Sequence, residues 1–266
     1  MRFRLTLNNP TNNTLIGWNY NYLVMAWIYK KLEAADPDYA NFLHQEGYQS
    51  DENYKKFKYM SFSPFHFEKK SGQFTAAGPK GLIIHAPQFY LDLSFYVPKA
   101  AEKFILGVFR DQRLPVFNDR FRAEFQIAQI STLSEPEFSP TMNYSAWAPM
   151  VIEKHSEEKK YGDYLPPDDP DFGKLLAINL NDKYFNATGQ RIQPEEIIYE
   201  LKSPAKNFKT RKISIKENSR EESQLKGYLN FDFTLKAPIE VQKCGFYSGF
   251  GRYNTEGMGM AKMKEL

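Results

Sequence analysis

Residues 245–259 hold five of the chain's 15 glycines, in the run Gly-Phe-Tyr-Ser-Gly-Phe-Gly-Arg-Tyr-Asn-Thr-Glu-Gly-Met-Gly. Glycine at that density marks backbone that takes positive φ or lies tight against a neighbour. A flexible linker would be polar and rich in Gly and Ser. Here the glycines alternate with Phe246, Tyr247, Phe250 and Tyr253, and the run continues through Met258, Met260 and Met263. The pattern predicts an ordered loop packed on a core and leading into a last strand, with its amides free to face a ligand. Nucleotide-binding loops do not fit. A dinucleotide fingerprint starting at Gly249 needs glycine where Asn254 stands, and a P-loop starting at Gly251 meets Glu256 and Gly257 instead of Gly-Lys. The plainer alternative is a tight turn between two core strands.

The rest of the chain alternates strand and helix signals. Arg2 to Leu7 alternates polar and apolar residues, as a half-buried strand does. From Asn19 to Ala35, Leu23, Val24, Trp27, Ile28 and Leu32 recur at the spacing of an amphipathic helix. Asp36-Pro37 then caps and starts a second helix, which Gly47 ends. Lys58 to Phe67 reads as extended, Gly81 to Ala86 and Phe89 to Val97 as strands. Pro98 opens a helix, and Leu114 to Phe117 forms a short strand. This order is that of a ferredoxin-like βαββαβ unit.

A second set follows. Phe121 to Leu133 reads as a strand, Ser134 to Ser145 as turn-rich and Ala148 to Glu153 as extended. A helix begins after Asp169-Pro170 and stops at Gly189. Strands are expected at Ile197 to Leu201, Lys209 to Lys216 and Gly227 to Leu235, then a short helix over Pro238 to Lys243. The expectation is an α+β chain of two tandem ferredoxin-like domains, residues 1–122 and 123–266, with the glycine-rich loop near the end of the second.

Several classes of function are disfavoured. The one cysteine, Cys244, allows neither an internal disulfide nor a thiolate metal cage and fits a reducing cytosol. The four histidines, His44, His66, His85 and His155, are scattered, so no metal site and no cofactor is expected. The first residues are too short and polar for a signal peptide, no apolar run approaches a membrane span, and a cytoplasmic location is expected. A net charge of +3 says little by itself. More telling is the stretch from Lys202 to Lys216, in which Lys206, Lys209, Arg211 and Lys212 stand with no acidic residue among them. Alternation puts Lys209 and Arg211 on one face. Such a strand is either a lysine-protected sheet edge or a phosphate-binding hairpin.

The tail resembles one family. Gly249-Phe250-Gly251, five residues, then Gly257-Met258-Gly259-Met260 is similar to the signature of the CRISPR-associated endoribonucleases that mature CRISPR RNA, in the repeat-associated mysterious protein (RAMP) superfamily. Trp27-Ile28-Tyr29, then Phe42-Leu43-His44-Gln45, then Lys58 to Pro64 follow in the family's order, so the resemblance spans nearly the whole chain.

That resemblance implies cleavage of CRISPR repeat RNA without metal, by attack of a ribose 2′-OH on the adjacent phosphate. It implies His44 as general base or acid, Tyr29 as its partner and Lys58 as the cation at the phosphate, with His66 as the rival to His44. The chemistry suits these residue types. Histidine exchanges protons near neutrality, and a lysine charge offsets the oxyanion that builds up on phosphorus. The RNA would be held by Lys206, Lys209, Arg211, Lys212 and Arg252, and by the loop at Gly249, Gly251, Gly257 and Gly259. A monomer or homodimer is expected, with subunits of a CRISPR effector complex as further partners. The alternative is a non-catalytic RNA-binding subunit of such a complex. A more distant one is a general RNA-binding protein of ferredoxin-like fold.

Overall fold

The computed structural model describes all residues except 12, 51–52, 119, 156–161, 204–207, 216–222 and 265–266. Its first sheet is built from β1 (Arg2–Asn8), β2 (Met60–Phe62), β3 (Gln88–Phe95), β4 (Arg113–Phe117) and β5 (Arg122–Thr132). The strands lie in the order β2-β3-β1-β5-β4, with every neighbouring pair antiparallel. Phe3, Leu5 and Leu7 of β1 point to one face and are buried there. Helices α1 (Tyr20–Ala35) and α3 (Pro98–Arg110) cover that face. Trp27 of α1 meets Phe104 of α3 edge-on, with ring centroids 5.5 Å apart. Between these helices in sequence, α2 (Pro37–Gln45) begins as expected: the Asp36 carboxylate accepts from the amide of Tyr39 at 3.0 Å, capping the helix.

The second sheet uses β6 (Thr141–Ala146), β7 (Ile198–Leu201), β10 (Asp232–Lys236) and β11 (Ala261–Met263), in the order β7-β10-β6-β11. Helices α4 (Phe172–Thr188) and α5 (Ile239–Ser248) pack on it. The second sheet places its strands second–third–first–fourth, and the first does the same with β5 in the fourth place and β4 added outside it as an extra edge strand, the arrangement of tandem ferredoxin-like folds. Between β7 and β10 the chain inserts a hairpin, β8 (Lys209–Ile215) and β9 (Ser223–Leu229).

Three expectations change. β5 begins at the expected division near residue 122, yet it pairs along β1 from Phe3↔Thr132 to Asn8↔Gln126. It is the last strand of the first unit, so the passage to the second unit lies beyond Thr132. The stretch read as turn-rich contains β6, which sits in the middle of the second sheet between β10 and β11. The last helix runs on to Ser248. Gly245 is inside it because a side chain there would run into the Phe250 ring and Leu180.

The two units are clipped together by buried polar groups. Arg2, 7% exposed, sends its guanidinium out of the first sheet to the carbonyls of Phe246 (2.6 Å) and Ala261 (2.8 Å). Ser94 donates to the Tyr247 carbonyl at 2.8 Å. Tyr59 donates to the Lys183 carbonyl at 2.7 Å.

Candidate active site

Tyr29, His44 and Lys58 come from three separate segments and meet at one place. Leu43 anchors α2 in the core, which leaves the next residue, His44, exposed at the rim. Its ring stands edge-on to Tyr29 of α1, centroids 5.3 Å apart at 83°. Gly47, at φ +66°, then turns the chain back; a side chain there would press on the Phe57 carbonyl. The chain returns so that the Lys58 ammonium donates to the His44 carbonyl at 3.2 Å and lies 5.2 Å from the centre of the Tyr29 ring. The adjoining Tyr59 holds φ +51°, a conformation that side chains seldom adopt and that often accompanies functional sites.

Burial shapes the electrostatics of this cluster. It lowers the pKa of the Lys58 ammonium, against the pull of Glu256. It raises that of Tyr29, with the charge of Glu256 adding to the effect. The Tyr29 hydroxyl is enclosed and has no hydrogen-bond partner among the described residues. Glu256 itself is pushed upward by burial, although Thr255 donates to its carboxylate at 2.8 Å. Asn21 of α1 donates to the Glu256 carbonyl at 3.2 Å, docking this end of the loop on the first unit.

Lys58 also lines a cavity of about 610 Å³, together with Lys56, Leu175 and Ile178 of α4, and Arg252 and Glu256 of the loop. Arg252 is held in place there. Its guanidinium is 2.6 Å from the nearly inaccessible Glu153 carboxylate and 2.7 Å from the His155 ring.

The loop differs from expectation in one respect: the amides of Gly249, Gly257 and Gly259 are turned onto the protein's own carbonyls. Gly249 donates to the Gly245 carbonyl, Gly257 to Asn254 and Gly259 to Pro149. Gly249, Gly251, Gly257 and Gly259 are all buried and have φ between +75° and +90°. Their glycine requirement is steric. A Cβ on Gly249 would fall against the Asn254 side-chain amide, one on Gly251 against the Val151 carbonyl, and one on Gly259 against the Phe250 carbonyl. Asn254, which stands where a dinucleotide fingerprint would need glycine, is the hub of the loop. Its side-chain amide donates to the carbonyls of Phe250 (3.3 Å) and Met258 (3.1 Å).

The basic hairpin is also partly committed. Lys209 and Arg211 share a face, but that face continues to the buried Ile213, which packs with Val151, Leu225 and Met258. Arg211 donates to the Trp18 carbonyl (3.0 Å) and to Asn21 (2.9 Å), fastening the hairpin to the first unit. Lys209 and Lys212 are exposed, and Lys206 lies outside the described residues. His66 is placed elsewhere. It contacts Asp92 at 3.1 Å and the Trp147 ring at 4.7 Å, and Asp92 in turn takes two hydrogen bonds from Arg4.

Sequence reasoning missed Lys183 and Glu256. Lys183 follows Leu176 by seven residues and Leu180 by three, so helical spacing alone places it on the buried face of α4.

The chain matches two family models in series. The model of the CRISPR-associated protein Cas6 N-terminal region covers residues 15–126, and that of the Cas6 C-terminal region covers residues 133–263. It is 28% identical to CRISPR-associated endoribonuclease Cas6 1 of Methanocaldococcus jannaschii, over 98% of this chain and 91% of that protein. It is 25% identical to CRISPR-associated endoribonuclease Cas6 of Pyrococcus furiosus, over 99% of this chain and 90% of that protein. In fold it superposes on the product of a Cas6-related gene from Pyrococcus furiosus with a TM-score of 0.82, at 23% identity, covering 100% of this chain and 98% of the other. A RAMP protein binding different RNA substrates superposes with a TM-score of 0.80 at 21% identity, each chain covered over 100%. The two model matches part between residues 126 and 133, near the end of β5, where the first sheet is complete. With one model matched to each sheet-and-helix unit, the chain belongs to the Cas6 family of CRISPR-associated proteins.

Proposed function

We propose that this chain is an endoribonuclease that processes CRISPR RNA, cutting the repeat by transesterification without a metal ion. The 2′ oxygen of the nucleotide before the cut forms a bond to phosphorus, and the bond from phosphorus to the 5′ oxygen breaks. The products are a 2′,3′-cyclic phosphate and a 5′-OH. One proton leaves the 2′-OH and one arrives on the departing 5′ oxygen. The observation that carries this reading is the meeting of Tyr29 and His44 with Lys58, which itself lines a cavity together with Lys56 and Arg252.

In this mechanism exposed His44 takes the 2′-OH proton, since imidazole is the side chain suited to accept one near neutrality. Tyr29, its pKa raised by burial, is a proton donor at neutral pH. Its hydroxyl is enclosed without a partner among the described residues, so this role requires RNA binding to bring the hydroxyl and the leaving oxygen together. The Lys58 ammonium offsets the charge that grows on the phosphate oxygens. Arg252 and the exposed Lys209 and Lys212 would hold flanking phosphates. The loop glycines would hold the loop's shape, since the amides of Gly249, Gly257 and Gly259 are already donated to carbonyls of the protein.

The test is cleavage of a labelled CRISPR repeat RNA in excess EDTA, beside the same RNA with a 2′-deoxy sugar before the cut. Cutting of the ribose form alone is expected. No cutting of either form with binding retained would overturn the enzyme reading in favour of a non-catalytic RNA-binding subunit. Cutting of the deoxy form would overturn the proposed chemistry.

A further inference from the structure

Lys183 of α4 is 2% exposed and lies against the cavity lined by Lys58 and Arg252. Its ammonium donates to the carbonyls of Gly249 (2.6 Å) and Gly251 (2.8 Å) and to the Asn254 side-chain oxygen (2.7 Å). An ammonium has three donors and no acceptor, so this set uses its whole capacity. The ionisable groups around it carry no charge at neutral pH. The Cys244 thiol on α5 is pushed up to about 12 by burial. Tyr59, also shifted upward by burial, donates its hydroxyl to the Lys183 carbonyl. The charge is thus balanced by three oxygen dipoles, in surroundings where an unpaired charge is costly. Burial alone draws the pKa down to about 7. Methionine would fill the same space without that cost, so the ammonium must do something an apolar side chain would not.

The three acceptors show what it does. Two are successive turns of the glycine-bearing loop, and the third is the loop's hub, Asn254. The same turn presents Arg252 and Glu256 to the cavity that Lys58 lines. We infer that Lys183 is a positioning residue: its ammonium fixes the 249–254 turn so that Arg252 and Glu256 line the same cavity as Lys58 at the RNA site. The effect on cleavage rests on the function proposed above, while the effect on the loop does not.

The test is Lys183→Met, which keeps length and apolar volume and removes the three donors. Amide hydrogen exchange across residues 249–259 should quicken at least ~10-fold while the amides of β6 and β10 keep their protection, because local opening is separable from global unfolding. Single-turnover cleavage of repeat RNA should fall at least ~10-fold with a change in Kd of less than about 3-fold, the split expected when alignment rather than affinity is lost. Unchanged protection in the loop would overturn the inference. So would protection lost evenly across the second sheet, which would mean a general core defect. If Lys183→Met does not fold, Lys183→Gln, which removes the charge and keeps two of the donors, carries the same comparison. If the wild-type chain cuts no RNA, the proposed function falls, and exchange still decides whether Lys183 holds the loop.

Discussion

Two glycines with nearly the same backbone and different surroundings allow the docking of the loop to be weighed. Gly257 has φ +76° and Gly72 has φ +74°. A Cβ on Gly72 meets nothing within 4 Å. A Cβ on Gly257 would fall on the Asn21 side-chain amide and 2.5 Å from the ring of Phe62. Phe62 has no exposed surface and cannot swing aside. Alanine at either position bears the left-handed backbone cost, roughly 1–2 kcal/mol. Restriction of the unfolded chain offsets about 0.4–1 kcal/mol of this in both variants and cancels between them. Only Gly257→Ala adds overpacking, about 1–3 kcal/mol. A chain of this size shifts its Tm by roughly 2 °C per kcal/mol. Gly257→Ala should therefore melt about 2–6 °C below Gly72→Ala in calorimetry. It should also cut RNA more slowly, because the turn that moves carries Glu256 towards Lys58. Equal Tm values for the two variants would refute the reasoning, since the contact between the loop and the first unit would then carry no energy.

Further predictions concern the site. His44→Ala should lower single-turnover cleavage by about 10²–10⁴-fold, the usual worth of one acid–base group, with binding retained; unchanged cleavage would remove His44 from the mechanism. Tyr29→Phe should lower single-turnover cleavage with binding retained if the hydroxyl is the donor, and unchanged cleavage would argue against that role. Lys212→Ala should reduce the slope of log Kd against log salt by about 0.7–0.9, one phosphate contact's worth, which titrations at several salt concentrations would read. For Lys183 the folded pKa, about 7, lies below the usual lysine value of 10.5. Protons then favour the unfolded chain across that window, so stability from this group rises as pH climbs from 7 towards 10.5. Wild type should gain stability relative to Lys183→Met over that range in paired melts, and a gap that stays constant would contradict the shift.

How much of this was legible in the sequence depends on how local the signal was. The caps at Asp36 and Gly47, the apolar spacing of α1 and the order of elements are local, and they give two ferredoxin-like units. The end of the first unit is not a local property. Arg122–Thr132 alternates in the same way whichever sheet it joins, and only its register with β1 assigns it. The glycine loop shows the same limit. Its spacing announces a tight, ordered turn, but whether its amides face solvent or fold inward depends on Asn254, Pro149 and Lys183, which a linear reading does not bring together. Arg211 looks in sequence like its neighbours Lys209 and Lys212. Its partners lie on α1 and just before it, some 190 residues away. The trio of Tyr29, His44 and Lys58 was named by resemblance alone, and no spacing rule connects positions on two helices and just past the returning strand Asn53–Phe57.

The Arg2 clip has a consequence in time. Its acceptor on Phe246 lies 244 residues downstream. At roughly 5–20 residues per second, a ribosome needs on the order of 10–50 s to deliver that partner. During that interval the first sheet is already complete, because all of its strands end by Thr132. Its guanidinium must wait in water, and the cavity wall formed by Arg252 and Glu256 does not yet exist. The first unit can thus emerge and fold on the ribosome without an assembled site, and the site forms only when the final strand has been made and docked.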